Sequence, residues 1–150
     1  MLLRISSIIT PDIYEVIYKM GHRDELAVLD ANYRGAAVGE RRIYSAIERN
    51  DELLEELLKY FPLDNEGSSP PTAMMELDDQ YNVEPLMWSV LARITQDYDD
   101  GRGIEKISRE DFYARARNAY ATIQTNDSRV HGNILLRKGI VLSDFARAET

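Results

Sequence analysis

The chain has 150 residues, 44% of them apolar, a formal net charge of -8 and no cysteine. That length fits one α/β domain with a core of its own, over residues 1–150, and the lack of thiols excludes disulfides, thiolate nucleophiles and thiolate metal sites. The acidic balance, unrelieved by any basic block, sets nucleic acid and anionic membrane surfaces aside as partners. No apolar run reaches bilayer length and no secretory signal opens the chain, so a cytoplasmic protein is expected.

In chain order, Thr10-Pro11 reads as a helix start, a capping hydroxyl followed by proline, and Ile13, Ile17 and Met20 recur on one face until Gly21. Leu26 to Leu29 is a short apolar run between polar residues, which suits a strand covered on both faces, with Asp30 at its exit. Residues 41–46 predict a second strand. Asn50-Asp51-Glu52 then forms an acidic cap to a helix carrying Leu53, Leu54, Leu57, Leu58 and Phe61, stopped by Pro62.

Residues 65–71 are a loop rich in serine and proline, and residues 72–77 a strand. Leu86, Met87, Val90, Leu91 and Ile94 mark a third helix. A strand over residues 104–107 precedes Ser108, whose spacing to Asp111 signals a cap for a helix through about Asn118. Arg109 sits in that helix's first turn, against the preference of the dipole. Strands over residues 121–125 and 134–138, joined through a turn at 126–128, complete an α/β pattern with a mixed or mostly parallel sheet flanked by helices.

Proton transfer at neutral pH most readily uses imidazole, and the chain has two histidines, His22 and His131, each in a short loop beside a predicted strand. His22 reads either as a polar residue after a helix or as a general acid or base. Ligands of α/β sheets gather at the carboxyl ends of strands, where Asp30 falls, and on that reading His22 and Asp30 face one crevice. Asp30 alone is equally a turn residue binding nearby N–H groups, Arg109 a surface ion-pair partner or a fork for a polyhydroxylated ligand, and Asn133 a turn amide or a donor and acceptor for hydroxyls. The histidines and carboxylates lack compact ligand spacing, so no metal site is expected. Nucleotide-binding glycine motifs and the serine-hydrolase elbow are absent, and no cofactor is indicated.

The segments Ile9-Thr10-Pro11, Met20-Gly21-His22-Arg23-Asp24-Glu25, Asp30-Ala31-Asn32-Tyr33, Phe112-Tyr113, Gln124-Thr125 and His131-Gly132-Asn133-Ile134, in that order and spacing, resemble the FucU/RbsD family of fucose mutarotases and ribose pyranases. The fucose branch is the nearer, because the pyranase branch usually has alanine where Gly132 stands. The resemblance implies an α/β subunit in a ring, typically a decamer, that interconverts the anomers of a free monosaccharide such as L-fucose without a cofactor. It makes His22 the catalytic acid and Asp30, Arg109 and His131-Gly132-Asn133 the sugar-binding positions, with His131 as a second proton-transfer group. Two positions depart from the family pattern: His131 stands where tyrosine is usual, and Arg23 where glycine is usual. A noncatalytic sugar-binding module on the same fold is the alternative.

Overall fold

The computed structural model describes residues 1–143. Its elements are α1 (Pro11–Lys19), β1 (Glu25–Leu29), β2 (Arg42–Tyr44), α2 (Asn50–Leu58), β3 (Thr72–Met75), α3 (Leu86–Thr95), β4 (Ile104–Ile107), α4 (Arg109–Asn118), β5 (Ala121–Gln124) and β6 (Ile134–Arg137). They make a mixed α/β architecture around one six-stranded sheet, ordered β2-β5-β1-β6-β3-β4. β6 alone is antiparallel to its neighbours, β1 and β3, while the other pairs run parallel. No helix among the described residues is long and apolar enough to cross a membrane.

Alternation along the central strands sorts the core into two layers. Leu26, Val28, Ile123, Ile134 and Leu136 face one way and pack with Ile13 and Ile17 of α1, Leu53, Leu54 and Leu57 of α2, and Leu91 of α3. Ala27, Leu29, Ala73 and Leu135 face the other way, where Phe112 and Ala116 of α4 cover them. Each large apolar side chain fully buried this way contributes about 1.5–3 kcal/mol. This explains why the run Leu26–Leu29 shows no polar face: both of its faces are covered.

Helix ends follow the sequence in one case and depart from it in two. Ser108 Oγ accepts the Asp111 N–H at 3.1 Å and caps α4. Thr10, by contrast, gives its hydroxyl to Asp12 and caps no backbone N–H of α1. At the start of α2 the acidic residues of the helix itself do not cap; the carboxylate of Asp127, far along the chain, accepts the Asn50 N–H at 2.8 Å. The far end of α1 is closed by Lys138, whose Nζ donates to the Ile17 and Met20 carbonyls at 2.7 and 2.5 Å. Gly21 and His22 follow directly from that fixed end.

Candidate active site at the two ends of the central strand

Asp30 leaves β1 at its carboxyl end and is 3% exposed. Its N–H donates to Asn133 Oδ1 at 2.7 Å, and Asn133 Nδ2 donates back to Asp30 Oδ2 at 3.0 Å. The second carboxylate oxygen accepts the Asn32 N–H at 2.9 Å, so Asp30 is both a turn residue and the partner of Asn133. Burial pushes its carboxyl above the ordinary carboxylate value, opposed by the Asn32 N–H and the Asn133 amide.

The loop between β5 and β6 carries His131, Gly132 and Asn133 to the same end of the sheet. His131 adopts φ 64°, a left-handed conformation uncommon outside glycine, and its ring meets Tyr81 edge to face at 5.5 Å. Beneath it, Asn50 Nδ2 holds the Gly132 carbonyl at 3.1 Å, and Thr125 donates its hydroxyl to Asn50 Oδ1. Arg129 joins Asp127 through Nε and Nη2 at 2.9 and 2.7 Å and reaches Asp51 at 2.6 Å, with Arg49 on the other Asp51 oxygen at 2.7 Å. Burial alone would raise the carboxyls of Asp51 and Asp127; the arginines outweigh it and hold Asp51 at about 2 and Asp127 below its ordinary value. The loop is thereby anchored to the start of α2.

Arg109 opens α4 at the carboxyl end of β4, the same end of the sheet as Asp30 but three strands away, roughly 14 Å at ordinary strand spacing. Its guanidinium pairs with Asp78 beyond β3, which supplies the anion that an arginine in a first helical turn calls for.

His22 lies elsewhere. It precedes β1, and the five residues of that strand span about 17 Å when extended, so within one copy of the chain His22 and Asp30 stand at opposite ends of the sheet and share no crevice. The single-crevice expectation fails because closeness in sequence is undone by strand extension. Instead His22 Nε2 sits 3.5 Å from Asp64 Oδ1, and Arg137 Nε donates to Asp64 Oδ2 at 2.8 Å. Beside His22 opens a cavity of about 490 Å³ lined by Tyr14, Tyr18, Tyr60, Lys138 and Val141.

Asp64, Asn50, Asp127 and Arg129 were not singled out from the sequence. One usable signal existed: Arg137 ends a strand whose other residues are buried and apolar, and a partly buried guanidinium there calls for an anion beside it.

Residues 3–141 match the model of the RbsD / FucU transport protein family. The chain belongs to this family. Two RbsD/FucU relatives are the fucose mutarotase of Homo sapiens, 31% identical over 91% of this chain and 92% of the human protein, and that of Danio rerio, 32% identical over the same shares. Among solved RbsD/FucU structures, the fucose mutarotase of Streptococcus pneumoniae in complex with L-fucose superposes with a TM-score of 0.85 at 31% identity, covering 94% of this chain and all (100%) of that one. Bacillus subtilis RbsD complexed with D-ribose matches at TM-score 0.69 and 17% identity, over 91% and 98% of the two chains, which establishes the shared RbsD/FucU fold.

Proposed function

We propose that this chain, as a single domain, is a cytoplasmic monosaccharide mutarotase acting on L-fucose or a close relative, assembled as a ring, possibly a decamer, in which His22 of one copy meets Asp30 of another. The observation that carries the reading is the near end-to-end match to the fucose mutarotase solved with L-fucose. The strand supports a shared site: the extent of β1 keeps its two ends from one sugar within a subunit, and a second copy would bring the two residues to one ligand. Exposed Tyr18 and Val141 beside the His22 cavity supply apolar surface for such a contact.

Mutarotation passes through the open-chain aldehyde. An acid protonates the ring oxygen while a base takes the anomeric hydroxyl proton; ring closure on the other carbonyl face reverses both transfers, and no cofactor is needed. His22 serves as the acid and His131 as the second proton-transfer group, each contributing typically about 10²- to 10⁴-fold. Asp30, held by Asn133, orients sugar hydroxyls; Arg109, three strands away in the same copy and paired with Asp78, supplies its planar fork of donors only if its side chain leaves Asp78 and reaches toward the sugar.

The test is exchange NMR at the anomeric protons of L-fucose, with D-ribose and D-galactose alongside, for the protein and its His22→Ala variant. Accelerated exchange that is lost in the variant supports the reading. Binding of the sugar without accelerated exchange replaces the mutarotase with a sugar-binding module. A native mass equal to one chain removes the ring.

A further inference from the structure

We propose that Tyr81 is a positioning residue for His131: its ring, carried on a turn whose other end is tied to Arg109, orients the imidazole by packing and leaves both ring nitrogens free for proton transfer. The inference rests on the reading of His131 as the second proton-transfer group.

The sheet places the turn. β3 lies between β6 and β4, parallel to β4 and antiparallel to β6. Its carboxyl end therefore emerges between the start of β6, just after His131, and the end of β4, just before Arg109. The chain leaving β3 makes contacts to both sides. The Glu76 N–H donates to the Ile107 carbonyl at 2.8 Å, the Asp78 carboxylate takes the Arg109 guanidinium, and the Tyr81 N–H closes the turn on the Asp78 carbonyl at 2.9 Å. Tyr81 then meets His131 with ring centroids 5.5 Å apart and planes at 79°. In this edge-to-face arrangement the positive rim of one ring lies against the negative face of the other. One short turn thus touches both Arg109 and His131.

Packing, not hydrogen bonding, orients the imidazole. Among the described residues neither ring nitrogen of His131 makes a hydrogen bond or an ion pair. The backbone beneath is held at φ 64°, with Asn50 on the Gly132 carbonyl, which fixes the Cα but leaves the side-chain torsions to their neighbours. A group that takes a proton at one stage and returns it at another needs its nitrogens uncommitted, and an aromatic contact supplies direction without using them. Tyr81 is 49% exposed, more than a tyrosine serving only to fill the core would be. Beside the pair opens a cavity of about 660 Å³, lined also by Val83, Glu84, Met87 and Val130. Burial raises the Asp30 carboxyl, and a charge on His131 is among the influences that lower it, so the ring stands within electrostatic reach of the end of β1.

The experiment reads the χ1 rotamer of His131 from three-bond NMR couplings, with kcat and KM for anomer exchange of L-fucose, in Tyr81→Ala, Tyr81→Phe and Asp78→Ala. The His22→Ala variant assigns the histidine signals, since the chain has two. Tyr81→Ala is expected to turn one rotamer into an average of several and to lower kcat about 10-fold with KM little changed. Tyr81→Phe, which keeps the ring, should restore both. Asp78→Ala, which frees the far end of the turn, should average the rotamer in the same way. Tyr81→Ala added to His131→Ala should slow the reaction no further. A single His131 rotamer retained in Tyr81→Ala overturns the proposal. So does a rise in KM at unchanged kcat, which sets the tyrosine against the sugar instead of behind the histidine. An unmoved rotamer in Asp78→Ala overturns the tie to Arg109. The couplings need no sugar: full activity in His131→Ala would defeat the proton-transfer reading of that residue, while its rotamer still decides whether Tyr81 orients it.

Discussion

Asn133 and Asp30 clasp each other through both ends of one amide: Asn133 Oδ1 takes the Asp30 N–H at 2.7 Å and Nδ2 gives to Asp30 Oδ2 at 3.0 Å. The clasp joins the end of β1 to the start of β6 and fixes the orientation of a buried carboxylate. The Asn133 side-chain oxygen and nitrogen both have defined partners there, so its replacements act through Asp30 before they act on any ligand.

Asn133→Asp places a second carboxylate against one whose proton affinity burial has already raised. The variant should lose about 2–3 kcal/mol at neutral pH and recover part of it near pH 5, where the two oxygens share a proton. Urea midpoints at both pH values measure this. An equal loss at the two would show that repulsion is not the cause.

Arg23 holds φ 71° immediately beside His22, in the left-handed region. Arg23→Gly removes the Cβ conflict and keeps the N–H that donates to the Lys138 carbonyl at 2.7 Å. A gain of about 1 kcal/mol is expected, read as a rise in thermal midpoint. A fall in the midpoint would mean the arginine side chain makes a larger contribution than its backbone strain removes.

Acid should unfold the protein through Asp51 and Asp127, paired by Arg129, and through Asp64 at the other end of the sheet, all held below their ordinary value. A carboxyl lowered in the folded state stabilises fully above its unfolded value and loses that contribution as pH falls through the folded one. For Asp51 the window runs from about 4 down to about 2 and is worth roughly 2 kcal/mol. Asp30, raised in the folded state, works in the opposite sense. Circular dichroism against pH, for the protein and Arg129→Gln, should show the variant unfolding at higher pH. Coincident curves would remove Arg129 from the account.

Two inactive variants should repair each other. If His22 and Asp30 of different copies meet at one site, mixing His22→Ala with Asp30→Asn subunits under exchanging conditions restores about a quarter of the sites, since half the copies supply each residue intact. Anomer exchange in the mixture reads it. A mixture as inactive as its parents, with exchange of subunits verified by mass, would place both residues in separate roles.

Much of the fold was legible because local rules and tertiary packing agree. Ile13 and Ile17 point into the core as their spacing predicts, the Ser108 cap forms, and Leu26 to Leu29 is buried on both faces. The predicted strands run a little long at 41–46 and 72–77, where the strands stop at Tyr44 and Met75, while 134–138 is met by β6 through Arg137 and an antiparallel bridge of Lys138 to Leu63. Pairing itself was not legible: nothing in residues 134–137 announces a strand inserted antiparallel between β1 and β3. At the site, the sequence indicated Asp30 and Asn133 as candidate residues but not that they bind each other. It also set His22 beside Asp30, because spacing along a chain carries no direction until the strand between them is drawn out. Asp64 and Asp127 escaped notice in polar loops, since the groups that meet them there, Arg137 for Asp64 and the Asn50 N–H for Asp127, arrive from remote segments.

The position of β6 bears on how the protein is born. Two separate parallel ribbons, β2-β5-β1 and β3-β4, are joined only by this four-residue strand, and its residues follow all the others in the sheet. A nascent chain on the ribosome therefore carries two ribbons with unpaired inner edges until residues beyond 133 emerge. Closure waits on contacts of long sequence separation, which slows folding and leaves apolar strands open to wrong partners in the interval. For this protein the last strand to be synthesised acts as the keystone, and shielding by chaperones matters most just before it appears.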